Sequence, residues 1–239
     1  MPKLRGPPLR EFLERVATQV AVALDVNEAF DDPSLPLGPI GERPFASVSV
    51  LHCNLEEAAA CLNRKEALME KAAAVAGVPA SQVTLEAWIT PEDLENLADE
   101  LIDAGVGIVL ITLGASGAFG ACCTDEATLR AQLRQAAPPD LSGIAGRRAH
   151  VPSFRARGQI NSVGAGDCFL AGVVAALCHF SEGERASSLP ELLRCGAASA
   201  LFRVDTARTE CPSVGGLLAA LDELEELPLE NSLLASLPR

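Results

Sequence analysis

The sequence predicts an α/β protein with a doubly wound, mostly parallel sheet and helices on both faces. Three observations predict it. Short apolar runs alternate with longer helix-forming segments, the pattern of right-handed βαβ units in a helix-covered parallel sheet. The apolar runs end in polar residues: Asp25 and Asn27, then Asn54, then Thr112 and Gly114. Ligands of such sheets collect outside the carboxyl ends of the strands, so these residues mark one rim in space. A glycine-rich turn, "NSVGAGDCF" at 161–169, runs directly into an apolar helix.

Each element has its own signal. "LREFLERVATQV" reads as an amphipathic helix feeding the first strand, "QVAVALDVN" at 19–27. "FASVSVLHCN" at 45–54 is the second strand. "LEEAAACLNRKEALMEKAAAVAG" is a strong helix former with a glycine stop at Gly77. In "TPEDLENLADELIDAG" Thr90 is the expected N-cap, Pro91 sits in the first turn, Asp93 completes a capping-box pattern and Gly105 ends the helix. Leu94, Leu97, Leu101 and Ile102 fall on one face of it. The third strand is Gly107 to Thr112. The Pro-rich stretch 137–158 reads as loop, and "VGAGDCFLAGVVAALCHF" and "LPELLRCGAASALFR" as the last two helices. The acidic run "LDELEEL" at 221–227 reads as a solvated helix face, and the tail after Leu227 as loosely held.

Composition narrows the function. The chain has 239 residues, 49% hydrophobic and 21% charged, as a packed globular protein has. A formal charge of -13 argues against nucleic acid and anionic membranes as partners. Residues 105–123 carry no charge and are long enough to cross a bilayer, but Gly105, Gly107, Gly114, Gly117 and Gly120 argue against a helix there. The eight Cys contain no C-x-x-C pair, and the charged start (Lys3, Arg5, Arg10, Glu11) is unlike a signal peptide. Reduced thiols and a cytoplasmic location are expected.

The turn at 164–167 carries the chemistry. A helix start leaves backbone N–H groups unpaired and partly positive, and Gly164, Ala165 and Gly166 leave them open to phosphate oxygens. Asp167 beside that anion hole suits a general base that takes a proton from an attacking hydroxyl. The same residues also fit an acid at an ordinary helix start.

"NSVGAGDCFLAG" resembles the C-terminal signature of the PfkB, or ribokinase-like, carbohydrate and nucleoside kinases, generally Asp-Thr-x-Gly-Ala-Gly-Asp. Three further segments agree in order: "ALDVN" is similar to the strand that often ends in Asp-Pro-Asn, Asn54-Leu55-Glu56-Glu57 to Asn-x-x-Glu, and "ITLGASGA" to Thr-Leu-Gly-x-x-Gly. The resemblance implies an ATP- and Mg²⁺-dependent phosphotransferase with Asp167 as base and the N–H groups of Gly164, Ala165 and Gly166 as anion hole. It implies that Asn54 and Glu57 place Mg²⁺, largely through waters, and that Asn54, Thr112, Gly114 and Gly117 lie along the nucleotide. "GAASALFRVDTARTECPSV" at 196–214 would close over the adenine. A monovalent cation there stays open, because Asn161 stands where many members have Asp.

The implied acceptor is a hydroxymethyl group of a sugar or nucleoside. "HVPSF" and "NLEEA" point first to a pseudouridine-like nucleoside. The resemblance covers residues 1–227 as a partial kinase domain, with 228–239 as tail. The family's earlier strands, sugar lid and Gly-Gly motif have no counterpart before "ALDVN". The N-terminal part of the fold is therefore expected to be missing. The chain alone is expected to be inactive, and to pair with itself or a completing subunit. The alternative is a non-catalytic nucleotide- or partner-binding fragment. "GASGAFG" is neither a P-loop nor a nucleophile elbow, "GAGDCF" lacks the third glycine of the dinucleotide fingerprint, and His52, His150 and His179 with the Cys lack zinc spacing.

Overall fold

In a computed structural model of the chain, residues 7–26, 45–183, 188–207, 212–228 and 232–238 are described. Five strands form one sheet in chain order: β1 (Ala23–Asp25), β2 (Val50–Asn54), β3 (Ile108–Thr112), β4 (Ala118–Cys122) and β5 (Arg148–Val151). β1, β2 and β3 run parallel, whereas β4 and β5 join antiparallel. The register places Asp25 beside His52 and Asn54 beside Thr112, so the polar strand ends form one rim.

Successive strand residues point to opposite faces, and both faces are covered. Leu51, Cys53, Val109 and Ile111 pack against α2 (Leu55–Cys61), α3 (Lys65–Ala76), the short α4 (Leu85–Trp88) and α5 (Pro91–Asp103), with Leu13 of α1 (Pro7–Ala17). Val50, Ile108 and Leu110 face the second layer: α6 (Glu126–Leu133), α7 (Ala165–Ser181), α8 (Leu189–Val204) and α9 (Val214–Ala220). α7 and α8 touch backbone to backbone. A Cβ on Gly172 would lie 2.6 Å from Ser199 Cβ, and one on Gly196 2.8 Å from Val173 Cγ2. Small residues thus bring α8 close enough to wall the ends of the strands.

Several elements differ from the sequence reading. The segment 55–77 is two helices: Asn63 takes φ +54 between them, a conformation that a short polar side chain tolerates better than most. β1 and β2 are shorter than the apolar runs, and Asn27 lies outside the described residues. β5 falls inside the Pro-rich stretch read as loop, and β4 in the second half of the uncharged stretch. "LDELEEL" is no helix face: Leu221–Glu223 is a single 3₁₀ turn, and Glu225 and Glu226 pair with Arg155 and Arg194. The segment after Leu227 is not loose where described. Leu234 and Leu237 enter the core, and the Pro238 carbonyl accepts from His150 N–H. Among the described residues no helix is long and apolar enough to cross a membrane.

Candidate active site

The rim of β1–β3 and the start of α7 enclose a pocket of about 230 Å³. Asp25, His52, Asn54, Glu57, Thr112, Gly164, Ala165, Gly166 and Asp167 line it. A larger cleft of about 630 Å³ adjoins it and shares Asn54, Thr112, Ser162, Ala165 and Gly166. Its other walls are mostly apolar: Gly114, Gly117 and Ala118 on one side, Phe154, Ile160 and Phe169 on another, and Ala197, Ala200, Leu201 and Val204 of α8. Asn54, Glu57, Thr112, Gly114, Gly117 and Gly164 to Asp167 therefore lie on these two connected spaces, Gly114 and Gly117 in the larger one only. Of the segment 196–214, residues 208–211 lie outside the described residues.

α7 begins without a side-chain cap. Gly164 takes φ +79, a left-handed conformation that a Cβ would strain. The Ala165 N–H donates to the Ser162 carbonyl at 3.0 Å, so it is occupied. Among the described residues no acceptor meets the N–H groups of Gly164, Gly166 and Asp167. Two of the three donors that the motif names, Gly164 and Gly166, are thus open to an anion, and the Asp167 N–H stands open in place of that of Ala165. Asp167 sits in this first turn with its side chain exposed. Arg203 of α8 supplies a cation here: its Nε lies 3.3 Å from where a Gly164 Cβ would stand.

α2 begins in the opposite way. The Asn54 side-chain oxygen accepts from Glu57 N–H at 2.9 Å, and Glu57 Oε2 accepts from Asn54 N–H at 2.8 Å. This capping box fixes both side chains at the pocket. Thr112 Oγ1 reaches the Cys53 carbonyl at 3.5 Å. Gly117, at φ +94, is demanded by packing as well, since a Cβ there would lie 1.9 Å from the Val151 carbonyl.

Three features escaped the sequence reading. Buried His52 is held by Asp25, Nδ1 to Oδ1 at 2.7 Å, and its ring stacks on Phe169. Asp205 is buried at the end of α8 and accepts from the Arg157, Gly158 and Ala207 N–H groups, tying the loop before α7 to α8. Arg203 is the third. A histidine two residues before the polar end of an apolar strand is the one signal that pointed to any of them.

Among the described residues no group of three or more His, Cys, Asp or Glu is arranged to cage a metal ion. The pocket does carry hard oxygen donors on Asn54, Glu57 and Asp167, while the Asp25 carboxylate is engaged by His52. That donor set fits Mg²⁺, which keeps several waters and takes its remaining ligands from a bound phosphate. Among the described residues no two cysteines form a disulfide. Burial pushes Cys61 up to about 12 and holds Cys53 and Cys122 well above the ordinary thiol range, so these three are inert packing groups.

Residues 5–212 match the family model of the pfkB family carbohydrate kinases. No curated protein matches the sequence. Among solved structures, the chain is similar to Arabidopsis thaliana ribokinase complexed with ribose and ATP (TM-score 0.54, 20% identity, 89% of this chain and 52% of that one). It is also similar to Escherichia coli phosphofructokinase-2 in complex with substrates and products (0.52, 16%, 92% and 55%). A third is Burkholderia thailandensis nucleoside kinase in complex with ADP-inosine (0.51, 16%, 95% and 54%). The chain thus spans about half the length of these kinases.

Proposed function

The chain belongs to the pfkB family of carbohydrate kinases, and from that premise we propose that it carries the phosphoryl-donor half of an ATP- and Mg²⁺-dependent kinase. The acceptor is a hydroxymethyl group of a sugar or nucleoside, with a pseudouridine-like nucleoside as first choice. One observation carries the reading. The uncapped start of α7 opens into a pocket that holds the Asp167 carboxylate, and this pocket adjoins an apolar cleft of base-and-ribose size.

In this reading the purine lies in the larger cleft against Phe154, Leu201 and Val204, with Thr112, Gly114 and Gly117 along the sugar and phosphates. The open N–H groups of Gly164 and Gly166, with the Ala165 turn between them, receive the transferring phosphoryl oxygens. Asp167 accepts the proton of the acceptor hydroxyl. Arg203 adds positive charge beside Gly164, where the transition state spreads negative charge over the phosphoryl oxygens. Asn54 and Glu57 are the residues that would hold Mg²⁺ through its waters; when bound, the ion neutralises phosphate charge.

A second reading rests on the half-length match: a nucleotide-binding protein without turnover. Phosphoryl transfer is mostly positioning, and an acceptor must be held in line with the phosphate. The two readings separate in one assay. The purified chain is titrated with ATP and Mg²⁺, then assayed for ATP-dependent phosphorylation of a panel of sugars and nucleosides. The first reading expects one acceptor to be phosphorylated once a form of the protein that also holds the acceptor is used; the second expects saturable ATP binding and no product in either form. Absence of ATP binding contradicts both.

A further inference from the structure

We infer that His52, with its ring fixed by Asp25, is a positioning residue for the phosphate-binding turn of α7. This rests on the reading of that turn as the anion site. Four observations converge. His52 points from β2 to the α7 side of the sheet, where it is 3% exposed. One ring face stacks on Phe169 at 5.4 Å between centroids. One ring edge is fixed by Asp25, Nδ1 to Oδ1 at 2.7 Å, with Asp25 half-open to the pocket. The Cε1 corner lies 3.0 Å from where a Gly166 Cβ would stand, so the imidazole is the floor on which the turn rests.

Packing alone gives a poor reason for a histidine here. Its Nε2 is buried and meets no partner among the described residues, a cost that a leucine or phenylalanine would avoid. What the histidine adds is direction. The bond from Nδ1 to Asp25 sets the ring's rotation, and the rotation sets the height of Gly166. Anion-hole donors act only when they meet the developing charge at hydrogen-bond distance, and a misplacement of about 1 Å costs on the order of 10²-fold. A floor held from two sides keeps the Gly166 N–H in place without touching the ligand itself.

The test uses the full chain and a readout other than turnover. ADP with Mg²⁺ and aluminium fluoride, a mimic of the transferring phosphoryl group, is compared with ADP and Mg²⁺ alone by calorimetry. In the unaltered chain, fluoride tightens ADP binding. His52→Asn keeps a donor near Nδ1 but removes the ring beneath Gly166. It is expected to lose about tenfold of the fluoride gain while ADP alone binds within about twofold. Asp25→Ala, which opens no core cavity, decides the matter if His52→Asn does not fold. It is expected to lose about fivefold of the gain, and Asp25→Asn, which still accepts from Nδ1, to restore it. If the unaltered chain shows no fluoride gain, the anion-site reading falls and this inference with it. If it shows the gain and both His52→Asn and Asp25→Ala keep it, the inference falls and the anion site stands.

Discussion

Helices α2 and α7 both begin at the rim of the small pocket, α2 with the Asn54 and Glu57 N–H groups engaged by its own side chains and α7 with no side-chain cap. In α2 the box between Asn54 and Glu57 is complete, so the helix start is a finished piece of scaffold that holds an amide and a carboxylate in place. In α7 three residues without large side chains stand where a cap belongs, and the strain of φ +79 falls on a glycine. A capped start is more stable by about 1 kcal/mol. The chain forgoes that at α7, and in the proposed function a ligand with negative charge restores it. The contrast separates scaffold from site more sharply than either motif does by itself.

Four changes test the contrast. Asp167→Asn has the largest expected effect: turnover, in a form of the protein that phosphorylates an acceptor, falls by about 10² to 10⁴ with ATP affinity nearly unchanged. Steady-state kinetics beside ATP titration checks it. Gly164→Ala comes next. It forces a side chain into the left-handed region at a cost of about 1–2 kcal/mol and crowds Arg203. Thermal stability and ATP affinity should fall together, the latter by about tenfold.

Glu57→Gln sharpens the other side. Glutamine still serves a capping box, so the melting temperature should hold while the Mg²⁺ needed for half-maximal nucleotide binding rises. An unchanged Mg²⁺ titration counts against Glu57 in the metal's surroundings.

The smallest effect concerns α5, a capped helix away from the site. Burial raises the Asp93 carboxyl, but bonds from Lys71 and Thr90 outweigh it and hold it below the ordinary aspartate value. Its folded value being depressed, Asp93 stabilises the fold above the unfolded aspartate range, and the contribution fades as pH falls through the folded value. Melting of Asp93→Asn against the unaltered chain should differ slightly at neutral pH and converge in acid, with nucleotide binding unaffected at neutral pH.

Local signals were the legible ones. Thr90, Pro91 and Asp93 mark the start of α5 by capping chemistry that acts within four residues, and Gly77 marks a stop by its backbone freedom. The polar ends of β2 and β3 were readable because strands buried on both faces leave little other place for Asn54 and Thr112. The hairpin of β4 and β5 was not. β4 reads "AFGAC", too rich in small residues for a clear apolar run, and Gly120 is small because Leu189 and Leu193 press on it from α8. β5 carries Arg148 and His150, and the His150 Nε2 is bonded to the Ser116 carbonyl across the sheet. The site divides in the same way. Its motif residues lie in short stretches, but the Asp25–His52 pair depends on strand register, and the Arg203 contact and the Asp205 tie depend on the close approach of α8. No spacing in sequence encodes those.

The most direct measurement follows the backbone amides of the isotope-labelled chain by NMR as ATP and Mg²⁺ are added. The N–H resonances of Gly164, Gly166 and Asp167 are predicted to move furthest and to saturate together, with that of Glu57 moving much less, since the Asn54 side chain already holds it. Saturable binding that perturbs the α2 start most, or that leaves the α7 start unmoved, would contradict the account.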